Sequence, residues 1–337
     1  VHYICYQIAE RWRRMLRTGS RDRQLSVAVV GVGEMGRNHA RCLATMKGVD
    51  LLAVVDSDED RRNEAAMAFD CQPLAEISDL SHVDAAVVAV PSAHHAEVGS
   101  RLMQRGIHCL VEKPLALDRE EALVLIDAAK AANVVLQVGH IERFNPAVRQ
   151  LATLLEGEQA LVANTRRMSA VSARVSDIDV VMDLMVHDLD VVLYLMGNQV
   201  DRLVARGITG PNGTDYATAL LSLDNNRMAS LTASRITQNQ IRKLEITTNE
   251  QFYSVDYSNQ ELLIYRQGRL DNDEMTEGRY VLDVDTRRVF VRRTEPLVAE
   301  LEHFVSAVRG DTPNEIDGET ALNALNLVWK IQKQLRE

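Results

Sequence analysis

Leu25-Ser26-Val27-Ala28-Val29-Val30-Gly31-Val32-Gly33-Glu34-Met35-Gly36 decides how the rest of this chain is read. An apolar run ends directly in three glycines spaced G-x-G-x-x-G, and the segment that follows, Arg37 to Met46, has helical character. In such a turn the first glycine permits the tight bend, the second lets backbone approach a pyrophosphate, and the third lets helix and strand pack closely. The free N–H groups at the helix start attract the anion. Asp56 closes the next apolar run, Leu51 to Val55, 20 residues after Gly36. A carboxylate there accepts hydrogen bonds from the adenosine ribose hydroxyls and repels a 2′-phosphate. The sequence therefore predicts a dinucleotide site selective for NAD over NADP, with Arg61 and Arg62 nearby to soften the preference.

Working outward, Ala85 to Val90, Ile107 to Val111 and Val134 to Val138 repeat the short apolar run, separated by helix-length segments such as Arg119 to Ala132. Continuous apolar runs of about five residues indicate parallel strands buried on both faces. The first half is read as a doubly wound Rossmann sheet over residues 25–145. Beyond it the rhythm changes to alternation, in Tyr216 to Leu223, Met228 to Ala233, Arg242 to Thr248 and Gln260 to Tyr265, with turn signals at Pro211-Asn212-Gly213 and Asp224-Asn225-Asn226. Alternation means one packed and one exposed face. Residues 146–337 are read as an α+β domain with a large, mostly antiparallel sheet. It ends in helices over Pro296 to Val308 and Gly318 to Leu335, which can pack back on the first domain.

At 337 residues two domains are affordable, and 46% hydrophobic with 26% charged residues is a globular composition. The formal net charge of -10 disfavours nucleic acid and anionic lipid as partners. No apolar run approaches the roughly 20 residues that span a bilayer, and a cytoplasmic location is expected. Cys5, Cys42, Cys71 and Cys109 form no metal-binding spacing, so no metal is expected. Residues 1–24 stand apart as a basic extension, with six arginines among Tyr3, Ile4, Tyr6, Ile8, Trp12 and Leu16. They read as an extension docked on its own or a neighbouring subunit or an upstream start, and alternatively as a surface anchor or partner-binding arm.

Two further signals carry chemistry. Glu112-Lys113-Pro114 follows the strand Ile107 to Val111, at the sheet end where open α/β folds bind ligands, and a partly desolvated lysine there can serve alcohol oxidation. Asp183 and His187, four apart in a segment continuing helically to Met196 and Gly197, can share one helix face, the carboxylate orienting the imidazole. The plainer reading makes Asp183 a helix cap and His187 a satisfied core residue.

With the glycine turn, Asp56, Val90-Pro91-Ser92, Glu112-Lys113-Pro114 and the Asp183–His187 pair in this order, the chain from Leu25 onward resembles the Gfo/Idh/MocA family, which includes glucose-fructose oxidoreductase and myo-inositol dehydrogenase. The resemblance implies catalysis by Lys113, Asp183 and His187. It also implies NAD held by Gly31, Gly33, Glu34, Met35, Gly36, Asp56, Pro91, Ser92, His95 and Glu112. Within the family, Gly139-His140-Ile141-Glu142-Arg143-Phe144-Asn145-Pro146 is similar to the segment of members that act on UDP-N-acetylglucosamine. This implies oxidation of a nucleotide-sugar at C3.

Leaving the last Rossmann strand, Glu142, Arg143 and Asn145 can contact ligand, Arg143 at a pyrophosphate or the nicotinamide end and Asn145 at a sugar hydroxyl or acetamido group. They can equally be a hinge that satisfies backbone. Arg166 and Arg167 can bind phosphate, although neighbours on a strand point opposite ways. Lys113 and His187 would also touch substrate. Alternatives from the same residues are oxidation of a free polyol or simple sugar, and a noncatalytic NAD-binding regulator. The exposed sheet face predicts a homodimer or homotetramer.

Overall fold

The computed structural model describes residues 24–170, 178–210, 213–267 and 284–337. The arginine-rich start of the chain, Cys5 and Pro211-Asn212 lie outside the described residues. The chain divides into two compact units. One holds the chain up to Gly139 together with Leu297–Thr320, the other His140–Pro296 and Ala321–Glu337.

The first unit is built on six parallel strands: β1 (Leu25–Val30), β2 (Val49–Val55), β3 (Gln72–Leu74), β4 (Ala85–Val88), β5 (His108–Glu112) and β6 (Leu136–Gly139), in the order β3-β2-β1-β4-β5-β6. Val27 to Val30, Ala85 to Val88 and Cys109 to Val111 are all buried, as two-sided cover requires. Helices α1 (Glu34–Ala44), α2 (Glu59–Phe69), α3 (His95–Gln104) and α4 (Arg119–Ala132) connect the strands. Asp58 and Asp118 cap α2 and α4 by accepting the N–H groups of Arg61 and Glu121. The sequence reading missed β3, because Gln72-Pro73-Leu74 carries no apolar run and lies at the sheet edge, where proline is tolerated.

A sheet edge needs cover, and the C-terminal part of the chain supplies it for β6. Val138 donates its N–H to the Ile316 carbonyl at 2.9 Å, and Asn314 donates to the Leu136 carbonyl at 2.8 Å. The helix α7 (Pro296–Arg309) is tied to the same strand by Gln137, which donates to the Glu300 carbonyl at 3.3 Å and pairs with His303 at 2.9 Å.

Among the described residues, the second unit carries eight strands: β7 (Val162–Met168), β8 (Val200–Gly210), β9 (Gly213–Leu223), β10 (Arg227–Ser234), β11 (Ile241–Thr247), β12 (Phe252–Asp256), β13 (Glu261–Gln267) and β14 (Val284–Arg288). Their order is β14-β13-β12-β11-β7-β10-β9-β8, antiparallel except for the β7–β10 pair. Asn225 and Asn226, both at positive φ, make the β9–β10 turn. The helix α5 (Pro146–Leu154) packs against β12 and β13, and α6 (Val186–Met196) packs against β7 and β10, where alternate residues such as Ala163, Thr165, Ala229 and Leu231 are buried. The long last helix α8 (Gly318–Arg336) secures the β8 edge through Gln334, which accepts the Ala205 N–H at 2.8 Å and donates to the Leu203 carbonyl at 3.0 Å.

Candidate active site

All the cofactor signals fall at the carboxyl ends of the parallel strands. Between β1 and β4 the chain order reverses, which is where such sheets open a crevice. The three glycines of the turn have different reasons to be glycine. Gly31 has φ +85°, and a Cβ there would lie 2.7 Å from the backbone of Ala89 and Val90, while at Gly36 it would lie 1.8 Å from the Gly31 carbonyl oxygen. Those two are fixed by packing. A Cβ on Gly33 would meet nothing within 4 Å, so the protein itself gives that glycine no work. Open space over the uncapped start of α1 fits a pyrophosphate that needs backbone contact.

The space continues as a groove of about 550 Å³ lined by Gly31, Gly33, Asp56, Arg61, Ile77, Pro91, His94 and Arg101, among others. Both Asp56 oxygens accept backbone N–H groups, Oδ2 from Val32 at 2.8 Å and Oδ1 from Asp58 at 2.9 Å. Each oxygen keeps a second lone pair for a ribose hydroxyl. The residues present thus fit a dinucleotide. Ser92 begins a single 3₁₀ turn after Pro91. Glu34 and Met35 are exposed on the first turn of α1.

The family resemblance implies that His95 helps to hold NAD, and in the structure its ring bonds to the protein backbone. His95 is 1% exposed and wedged between two carbonyls, Nδ1 at 2.8 Å from Pro114 and Nε2 at 3.0 Å from Val90. It ties the loop after β4 to the loop after β5. Burial draws its pKa down against the pull of both carbonyls and of Glu112. Its neighbour His94 is the histidine in the groove. Nothing in the spacing distinguishes the two, because the choice depends on where α3 begins.

Glu112 also turns inward. Its Oε1 lies 2.6 Å from His39 Nε2, and its Oε2 accepts the Lys113 N–H at 3.1 Å, so it anchors the loop rather than offering its carboxylate to the groove. The Lys113 side chain is half-buried beyond it.

In the second unit, Asp183 and His187 are both half-buried. The helix they occupy is not α-helical throughout, since Val181–Met185 form a π-helical turn before α6 begins. Such widened turns recur at functional sites. The capping work falls to Asp179, whose Oδ1 accepts the N–H groups of Val181 and Met182 at 3.1 and 3.0 Å. Asp183 is therefore not the cap that the plainer reading made it.

Glu142, Arg143 and Asn145 also bond to other groups of the protein. Arg143 is bidentate to Asp190, with both contacts at 2.6 Å, and lies 5.0 Å over the Tyr194 ring. Arg167 is bidentate to Asp188 at 2.9 and 3.1 Å and donates to Glu142 at 2.8 Å. Asn145 donates to Glu142 at 3.3 Å and to the Tyr257 carbonyl at 3.1 Å, and caps α5 through the Ala147 N–H. These side chains are buried and committed to one another, because buried charges persist only when paired. Arg166, one residue from Arg167, points to the exposed face and pairs with Glu245 at 3.4 Å. The sequence reading passed over Asp188 and Asp190, although their spacing of two within the helix was visible.

Residues 25–140 match the NAD-binding Rossmann-fold domain of an oxidoreductase family, and residues 174–337 match the C-terminal alpha/beta domain of that family. The chain belongs to the Gfo/Idh/MocA oxidoreductases. Among this family's members, UDP-N-acetylglucosamine 3-dehydrogenase of Acidithiobacillus ferrooxidans is 34% identical, over 91% of this chain and 96% of that protein. Its solved structure superposes with a TM-score of 0.84 at 32% identity, covering 92% and 97% of the two chains. The NAD-dependent scyllo-inositol 2-dehydrogenase of Bacillus subtilis is 25% identical over 90% and 92%. Among the described residues, no helix is long and apolar enough to cross a membrane.

Proposed function

We propose that this Gfo/Idh/MocA oxidoreductase oxidises the C3 hydroxyl of UDP-N-acetylglucosamine, giving the 3-keto nucleotide-sugar and NADH. The observation that carries the reading is similarity along nearly the whole chain to a UDP-N-acetylglucosamine 3-dehydrogenase. Retention of Lys113, Asp183 and His187 at half-buried positions supports it. NAD rather than NADP is favoured by Asp56, whose carboxylate lines the groove and would repel a 2′-phosphate.

The bound dinucleotide supplies the hydride acceptor. Lys113 or His187 takes the hydroxyl proton, and Asp183 orients and biases that transfer. Glu112 and His95 hold the Lys113 loop from below. Recognition of the diphosphate falls to groups other than Arg143 and Arg167, whose guanidiniums are already bonded to carboxylates.

The test is a panel of UDP-sugars and free polyols with NAD or NADP, read by nicotinamide absorbance at equal enzyme concentration. The proposal expects UDP-N-acetylglucosamine with NAD to give the highest kcat/KM. A free polyol in first place would replace it with the inositol-type reading. Reduction with no substrate in the panel, in protein that binds NAD, would favour a noncatalytic regulator.

A second copy of this chain covers the exposed face of the eight-stranded sheet. Val204, Leu220 and Met228 lie 41%, 41% and 40% exposed on neighbouring strands of that face, an apolar strip beside Thr218, Ser222 and Thr232 that a partner's matching strip would bury. Light scattering of wild type and Leu220→Glu measures this: an oligomer in the first and a smaller species in the second are expected, and a monomeric wild type contradicts it.

A further inference from the structure

Behind the Lys113 loop lies a buried cluster that the reaction as described does not use. One nitrogen of His39 on α1, one oxygen of Glu112 at the end of β5 and one oxygen of Glu300 on α7 all fall within 4.8 Å of one another. His39 and Glu300 are 0% exposed and Glu112 is 8% exposed. The contacts leave an imbalance. His39 donates through Nε2 to Glu112 Oε1, and Glu112 Oε2 takes the Lys113 N–H, but neither Glu300 oxygen receives a hydrogen bond from any described residue.

An ionised Glu300 would be a second buried negative charge with no donor, which costs far more than binding a proton. Burial, and then the charge on Glu112, push the Glu300 carboxyl well above the usual carboxylate range. For Glu112 burial pushes the same way, but its contacts with His39 and Lys113 prevail and hold it low. A shared divalent cation does not suit the cluster. The 2.6 Å contact between His39 and Glu112 is a hydrogen bond, whereas two ligands of one tetrahedral ion at about 2.0–2.2 Å stand about 3.3 Å apart.

We propose that Glu300 is a neutral carboxylic acid in the folded protein, and that the His39–Glu112–Glu300 cluster is the positioning device for Lys113. The Glu300 O–H donates into the His39–Glu112 pair, leaving one negative charge, on Glu112. That carboxylate then fixes the backbone of the next residue, Lys113. The surroundings are built for it. Gly139, the strand partner of Glu112, has no Cβ where one would lie 3.2 Å from the carboxylate, and the Glu300 backbone is held by Gln137 on the same strand. His95 and Lys113 are further titratable side chains near Glu112, and burial of His95 favours its neutral form. The inference rests on the reading of Lys113 as catalytic.

Three readouts on wild type, Glu300→Gln and Glu300→Ala test it. The infrared spectrum of wild type at neutral pH should contain the carbonyl stretch of a buried protonated carboxylic acid, lost in Glu300→Gln. Acylation of Lys113 by an amine-reactive reagent, followed by peptide mass spectrometry, should change in rate in Glu300→Ala and return toward wild type in Glu300→Gln. The value of kcat should fall at least tenfold in Glu300→Ala and recover in Glu300→Gln, with the NAD Kd unchanged throughout. Absence of the infrared band, or a glutamine as damaging as the alanine, overturns the proposal. So does a parallel loss of NAD affinity, which would reduce the cluster to support of the sheet. Should Glu300→Ala not fold, the band and the Glu300→Gln labelling rate still decide. Failure of wild type to oxidise a UDP-sugar refutes the proposed function alone, because band and labelling need no substrate.

Discussion

Asp56 Oδ2 accepts the Val32 N–H at 2.8 Å, so the carboxylate that closes the second strand also fixes the middle of the glycine turn. On the proposed reading, one side chain both shapes the turn that would cradle a pyrophosphate and offers acceptors to a ribose. Asp56→Ala should weaken NAD by about 10- to 100-fold, as loss of a charge-assisted hydrogen bond of about 1.5–3 kcal/mol requires. NADP should weaken less, and the ratio of the two dissociation constants, measured by fluorescence titration, reports it. An unchanged ratio would remove Asp56 from cofactor selection.

The unequal roles of the glycines give a paired prediction. Gly36→Ala forces a Cβ into the Gly31 carbonyl and should destabilise the first unit by roughly 1–3 kcal/mol, seen as a lower Tm. Gly33→Ala meets no protein atom and should leave Tm within a degree or so while sharply weakening NAD. The combination of calorimetry and NAD titration separates the two, and a Gly33→Ala protein that binds NAD normally would show the pyrophosphate lies elsewhere.

Arg143 and Asp190 make a buried bidentate pair. Removing one partner strands a buried charge, at a cost of about 3–5 kcal/mol. Arg143→Ala should therefore lower Tm or yield while the NAD Kd of the surviving folded protein stays within about twofold. A folded, stable Arg143→Ala with a much weaker NAD Kd would return this arginine to the cofactor site.

Acid sensitivity follows from His108. Burial lowers its pKa from the ordinary 6.5, against Asp84, and Nδ1 accepts the Val135 N–H at 2.9 Å. The unfolded chain then binds a proton that the folded one refuses. Stability from this group is full above about pH 6.5 and declines as pH falls below it. His95 acts in the same direction. Melting curves across this range should show Tm falling with pH, and His108→Asn, which keeps an acceptor where Nδ1 stands, should flatten the fall. An equally steep decline in the variant would place the sensitivity elsewhere.

Legibility in the sequence followed the range of the interactions. The Rossmann strands are continuous apolar runs and the second-domain strands alternate, so periodicity alone reports both sheets. It is silent on β3, whose three residues carry no pattern, and the sequence reading also passes over β8, β12 and β14. The π-helical turn at Val181–Met185 has no periodic signature because it adds a single residue to one turn.

In the candidate site, the glycine turn, Asp56 and Lys113 stand out in the sequence because their signals are local. The inward bonding of Glu142, Arg143, Asn145 and His95 does not, because polar residues near a strand end can face ligand or interior, and the partners that decide it are distant in sequence. Asp190 is 47 positions from Arg143. Glu300 was invisible for the same reason: a glutamate on an amphipathic helix reads as surface until the fold buries it.

Hydride origin tests the central claim most directly. UDP-N-acetylglucosamine carrying deuterium only at C3 should be turned over with NAD and the recovered NADH examined by mass spectrometry. The account predicts one deuterium in the nicotinamide for each keto sugar formed, with both products lost in Lys113→Ala. NADH formed without deuterium, or no NADH at all from a protein that binds NAD, would contradict it.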